Sequence, residues 1–245
     1  MKYWMILWML IFVSACNRED AWDILKTRGE RVIVQIEIPD FHSIMVHNNF
    51  DVVLSRSDCY SATVEGWKNL MPKIRLSVED GVLIMEDTNN FDFVRNKDNR
   101  TTVYLRYAGY LSNIQLSGNG DIVSRDTIHT SGLTVLCLEA SGSVDLNIQT
   151  QSFYLGTDEK NVASVIVRGS SGSMGMTNWG FAPVDLLNLK VSYAEIHHHG
   201  TGNVYVNVSE SLIVILYGIG DLYYTGSPSL EFTRKRKGNI YQMQQ

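Results

Sequence analysis

The densest group of chemistry-bearing side chains in the sequence is His197-His198-His199. Imidazole is a common zinc ligand. On a strand, however, consecutive side chains point to opposite faces, so at most His197 and His199 share a side. No third ligand accompanies them, and the run reads as a solvated strand end. Carboxylates come next. Asp121, Asp145 and Asp221 recur in short glycine-flanked stretches, and paired carboxylates are what glycoside cleavage needs. Recurrence at a corner is also what turn chemistry produces, and that is the reading adopted. GNGDI at 118–122 and GIGDL at 218–222 look like phosphate-cradling loops. Such a loop must open a helix, so that backbone N–H groups and the helix dipole face the anion. Strand-like residues follow here, with no Lys-Ser/Thr pair. The expectation is therefore no catalytic residue, no metal site and no cofactor.

The strongest candidate for contact with a partner is a register of tyrosines. GTGNVYV at 200–206 and GIGDLYY at 218–224 are eighteen residues apart, and GNIYQ at 238–242 is a third, partial copy. Val204, Leu222 and Ile240 fall at equivalent positions and are expected to point inward. Tyr205, Tyr223 and Tyr241 follow them and are expected to point outward as a flat, stacked ladder. Aromatic rings pack against sugar faces and anchor interfaces. They also stabilise a repeat by stacking between its units. The sequence leaves both roles open.

The elements that must position these residues are strands. From Arg31 onward apolar and polar residues alternate with period two, in VIVQIEI, FDVVL, KIRLSV, VLIME and TTVYLRY. No stretch of a dozen residues keeps a 3.6 period, so very little helix is expected. Counted by their first glycines, the glycine-centred units begin at Gly118, Gly142, Gly172, Gly200 and Gly218. Strand-only repeats of this size indicate a β-solenoid, in which each coil buries its apolar face only against the next. The eighteen-residue step reads as a bare coil. The longer steps read as coils carrying loops such as TDEKN at 157–161 and NWGFAP at 178–183. The glycines are expected at positive φ, and Asn203, Asp221 and Asn239 are short polar residues that tolerate a left-handed turn and are expected to bond local backbone.

The N-terminus carries a separate signal. One lysine precedes an apolar run from Tyr3 to Val13, too short to span a bilayer. It reads as a signal-peptide core. Val13-Ser14-Ala15-Cys16 resembles a bacterial lipobox, with Cys16 as the lipidated first residue of the mature chain. Residues 1–15 are thus assigned to a lipoprotein signal peptide, 16–30 to the lipidated cysteine and a polar tether, and 31–245 to a single domain. Asn17-Arg18-Glu19-Asp20 looks like a surface-export signal of Bacteroidetes-type lipoproteins, or equally a solvated tether. Of the remaining cysteines, Cys137 lies in an apolar run and reads as a buried thiol; an envelope compartment permits a bond to Cys59. The formal net charge of −5 argues against a nucleic-acid binder.

Several stretches resemble the head GIN domain family, described as auto-transporter adhesins of Bacteroidetes. Phe41 to Val46 followed by Phe50 to Leu54 is similar to its opening strands. Residues 62–85, with Glu65-Gly66, Leu70 and Asp80-Gly81-Val82-Leu83, resemble its next block. Leu116 to Ile122 resembles its repeated Ser-Gly-Ser-Gly-Asp unit, and Gly220 to Pro228 its closing segment. The resemblance covers roughly residues 30–242. It implies an all-β fold, a right-handed parallel β-helix of the pectate-lyase-like kind behind an N-terminal β-strand region. It brings no catalytic residues. The second glycine is missing at Ser143-Val144 and Ser173-Met174, which predicts looser corners there. The functional expectation is a non-catalytic, lipid-anchored outer-membrane protein, exposed on the surface, that contacts a glycan, a host surface, an envelope protein or a second copy of itself. The alternatives are a polysaccharide lyase or glycosidase on the same scaffold and a purely structural envelope component.

Overall fold

The structure is a computed structural model that describes residues 29–89 and 100–244. The expected signal peptide, Cys16 and most of the tether lie outside the described residues. The chain is built almost wholly of strands, as the period-two alternation predicts; its one helical element among the described residues is a 3-10 turn at Met71–Lys73. The strands are β1 (Arg31–Glu37), β2 (Ser43–Asn48), β3 (Phe50–Arg56), β4 (Ser61–Trp67), β5 (Ile74–Glu79), β6 (Val82–Asp87), β7 (Thr101–Tyr107), β8 (Asn113–Gly118) and β9 (Asp121–Ser124). They continue with β10 (Ile128–Cys137), β11 (Ser143–Thr157), β12 (Ser164–Asn178), β13 (Val184–His198), β14 (Val204–Leu216), β15 (Leu222–Thr225), β16 (Ser229–Arg234) and β17 (Ile240–Gln242).

From β8 onward every pairing is parallel, and the chain winds as a β-solenoid. Strands β11 to β14 are long and bent. The first half of β14 pairs with β15 and its second half with β16, so each coil has two arms. The N-terminal part is wound differently. Strands β2 and β3 form a coil beneath β8 and β9, with β6 and β7 beneath them in turn. Strands β5, β4 and β1 then close that end in antiparallel pairings. The chain thus leaves the stack after β3, builds its own cap, and returns at β8.

The core is a set of inward columns. One runs Val52, Ile122, Val144, Val165, Val184, Val204, Leu222, Ile240. All but Ile240 are at most 1% exposed; burying each such side chain contributes about 1.5–3 kcal/mol. The steps along this column from Ile122 are 22, 21, 19, 20, 18 and 18 residues. The wider spacing read from glycines alone is therefore corrected. Gly172, Ser173 and Met174 lie within β12, not at a corner, and Met174 is buried. Residues 157–161 and 178–183 are not insertions. They occupy the same corner as the glycine runs, since Phe181 N donates to Asn161 O and Thr201 N to Gly180 O.

The reason for glycine at that corner also differs from expectation. Among the described glycines only Gly29, Gly81, Gly169 and Gly226 have positive φ. The corner glycines are required by close approach. A Cβ on Gly120 would strike the carbonyl oxygen of Phe50, and one on Gly142 that of Gly120; Gly200, Gly218, Gly220 and Gly238 meet the coil below in the same way. Asn203, Asp221 and Asn239 are not left-handed either. The side chains of Asn203 and Asp221 bond the backbone of the next coil instead: Asp221 N donates to Asn203 Oδ1 (3.2 Å) and Asn239 N to Asp221 Oδ1 (2.8 Å). Ser143 extends this kind of contact, donating to Asp121 Oδ1 at 2.7 Å, so its corner is tied rather than loose. Cys59 and Cys137 are both free, and burial pushes the Cys137 thiol up to about 12.

Candidate binding faces

The tyrosines stand where alternation places them. Tyr205 pairs with Tyr223 and Tyr223 with Tyr241, one residue beyond the inward column. Their ring centroids are 5.0 and 5.2 Å apart, with planes inclined by 16° and 25°. The spacing is close to the strand separation itself, so the ladder follows from register. Tyr241, the top rung, is 44% exposed and the two below it are half-buried. The Tyr223 phenol is pushed up, first by desolvation and then by Asp221. It stays neutral at ordinary pH and keeps a hydrogen-bonding hydroxyl at the edge of the ring stack. Below Tyr205 the same outward column continues through Asp185, Ile166, Asp145 and Val123.

The three histidines do not form a solvated strand end. His198 points inward and is fully buried. It belongs to the column Leu116, Cys137, Thr157, Asn178, His198, Leu216. Thr157 Oγ1 donates to Asn178 Oδ1 (2.6 Å), and Asn178 Nδ2 donates to His198 Nδ1 (3.2 Å). This buried polar chain also holds the corner, because Gly180 N donates to both Thr157 Oγ1 (3.0 Å) and Asn178 Oδ1 (3.1 Å). Burial pushes the His198 imidazole below its usual range. His199 is sandwiched between Trp179 and Tyr217, with centroid distances of 3.7 and 4.3 Å and nearly parallel planes. His197 pairs with Glu195 at 2.9 Å. The described residues contain no cluster of three or more His, Cys, Asp or Glu suited to a metal ion. The Trp179–His199–Tyr217 stack was legible only once the coil steps of 20 and 18 residues were known.

The recurring aspartates split. Asp121 shares Arg100 with Asp51, at 2.9 and 2.8 Å, and the guanidinium is largely buried. Asp221 is the corner rung already described. Asp145 is not a turn residue. It lies on an arm of β11, facing outward, and is paired with Arg168 across the coils. Each of the three is engaged in holding coils together, and no two form an exposed pair.

On the opposite side from the corner, the bends of β11 to β14 leave a shallow polar groove of about 720 Å³, lined by Thr150, Ser171, Lys190, Asn207 and Ser209 among others. Three of its six lining hydroxyls are turned to backbone. Thr150, Ser171 and Ser209 donate to the carbonyls of Ser152, Ser173 and Val191.

This architecture can now be compared with known proteins. The sequence profile of the head GIN domain, described as a "putative auto-transporter adhesin", matches residues 40–228. The chain belongs to the head GIN domain family. Solved structures agree on the fold. A "putative adhesin" from Bacteroides fragilis superposes with a TM-score of 0.79 at 20% identity, over 87% of this chain and 97% of that one. A "putative adhesin" and a "putative lipid binding protein", both from Parabacteroides distasonis, give TM-scores of 0.66 and 0.67 at 17% and 16% identity, over 88% of this chain and 98% of theirs. Among curated proteins none is a match. The family's description as a putative auto-transporter adhesin supports a binding role and an envelope or cell-surface setting for this chain.

Proposed function

We propose that this head GIN protein is a non-catalytic adhesin of the cell envelope. It is held to the outer membrane by lipid on Cys16 and offers the Tyr205–Tyr223–Tyr241 face to a glycan or a protein on a neighbouring surface. The observation that carries the reading is the ladder itself: three phenols in one plane-stacked row, exposed at the top rung and spaced by strand geometry. A saccharide meeting such a row would contact the ring edges and hydroxyls of the lower rungs and the outer ring face of Tyr241. The carboxylates a glycosidase would need are committed instead to Arg100, Arg168 and the backbone of Asn239. That disfavours the carbohydrate-active reading.

The test is adhesion by cells displaying the triple Tyr→Ser variant. Losing one aromatic anchor at an interface typically costs about 1–4 kcal/mol of binding, so the triple variant should bind at least tenfold more weakly. Tyr223→Ser, the central rung, should be the most damaging single change. Unchanged adhesion, with the fold confirmed by circular dichroism, would leave the tyrosines as scaffold alone. The anchor is tested separately by labelling cells with a palmitate analogue: Cys16→Ser should abolish incorporation, and equal labelling would refute it. A lipid-modified cysteine supplies the two or more acyl signals that stable anchoring needs.

A further inference from the structure

The two ends of the solenoid are built differently. At the N-terminal end the core is closed by the antiparallel strands β1, β4 and β5. At the other end no described strand lies above β16 and β17. The inward positions of that last coil are Leu230 above Leu212, Phe232 above Val214 and Ile240 above Leu222. Lower in the stack these columns are fully buried, whereas Leu230 is 42% and Phe232 37% exposed. Solenoids ordinarily need a terminal unit with a polar outer face. Among the described residues no such unit covers this end.

Beside this end of the core runs Arg234-Lys235-Arg236-Lys237, the turn between β16 and β17. All four are exposed. Arg234 is held by Asn239 Oδ1 at 2.9 Å, and the other three make no ion pair among the described residues. Only one carboxylate, Glu231, occurs between residues 229 and 242. A chain of net charge −5 therefore presents a concentrated cationic turn beside an apolar patch.

We infer that this tip docks on an anionic lipid surface, with Leu230, Phe232 and Ile240 at the acyl boundary and Lys235, Arg236 and Lys237 against lipid phosphates. Exposed aromatic and aliphatic side chains flanked by lysine and arginine are the combination that interfacial binding uses. A soluble polyanion would engage the cations and leave the apolar patch in water. A second copy placed tip to tip would bring two cationic turns together. The outer backbone edge of β16 and β17 limits the depth. Unpaired N–H and C=O groups are costly in hydrocarbon, so the tip rests among headgroups, whose phosphates and water can satisfy them. The eleven strands stacked along the first arm, at about 4.8 Å each, put this tip roughly 48 Å from β1. This inference does not depend on the tyrosine face.

The experiment is flotation of the full chain with phosphatidylcholine vesicles, with and without phosphatidylglycerol. The apolar N-terminal run contributes the same background for every variant. Wild type should show an added, salt-sensitive partitioning onto the anionic vesicles. Each basic residue near such a surface contributes about fivefold, so Lys235→Glu/Arg236→Glu/Lys237→Glu should lose more than ~100-fold of the increment. Leu230→Ser/Phe232→Ser should lose part of it with all charges intact. Melting curves check that both variants fold. No phosphatidylglycerol-dependent increment, or an equal one in the charge-reversed variant, would overturn the inference. So would tip-dependent dimers by ultracentrifugation that block vesicle binding, or a loss shared by dextran sulfate binding with no effect of the Leu230/Phe232 change.

Discussion

Gly120→Ala is the sharpest probe of why this chain repeats glycine at its corners. The added methyl would meet the carbonyl oxygen of the buried Phe50 in the coil below. Backbone cannot swing aside as a side chain can, so the two coils must separate locally. Two hydrogen bonds flank the contact: Asn119 N to Asn48 O and Asp121 N to Asp51 Oδ1, both 3.1 Å. Losing them costs about 1 kcal/mol each. Overpacking adds about 1–3 kcal/mol, and the stiffer unfolded chain returns about 0.5 kcal/mol. The net loss is about 3 kcal/mol, equivalent to a fall in melting temperature of roughly 6–12 °C for a domain of this size. Gly132→Ala is the control. Its Cβ would meet only the Ser152 hydroxyl, at 3.1 Å, and its φ is not positive. That variant should melt within a few degrees of wild type. The measurement is thermal unfolding followed by circular dichroism at matched concentration. Equal melting temperatures for the two variants would refute the close-approach argument.

Leu222→Asp should prevent folding or lower stability by several kcal/mol, because Leu222 is fully buried in the inward column and an unpaired charge there is unsupported. Asn119→Ser, in the exposed corner between two glycines, should leave the melting curve nearly unchanged; similar curves for the two would show the register to be wrong. Stability should also depend on pH through His198. Burial lowers its folded-state value below the usual 6.5, so the unfolded chain binds more protons in that window. The stabilisation is present above about pH 6.5 and is lost as pH falls from there through the depressed folded value. His199 is lowered in the same direction by burial and His197. His198→Gln should flatten the pH dependence of the urea midpoint, and a slope as steep as wild type would exclude His198 as its source.

Period two over most of the chain fixes strands, and the eighteen-residue repeat of Val204, Leu222 and Ile240 fixes the coil and with it the outward tyrosines. Both are local or nearly local consequences of pleat and spacing, so they can be read without coordinates. The corner glycines show where that kind of reading stops. Glycine at 118, 120 and 142 is visible in the sequence, but positive φ and close approach call for the same residue. Only the contact with Asn48, Phe50 and Gly120 distinguishes them. His198 is likewise indistinguishable in the sequence from its half-buried neighbours, and only its column places Asn178 beneath it. The exposed end is a matter of tertiary structure too. Leu230 and Phe232 alternate like any buried strand, and nothing local states that no described coil covers them. Alternation along a strand says which face is inward. What lies above and below that face depends on the order in which coils stack, and the excursion from β3 to β8, seventy residues between Val52 and Ile122, shows that chain order and stacking order need not agree.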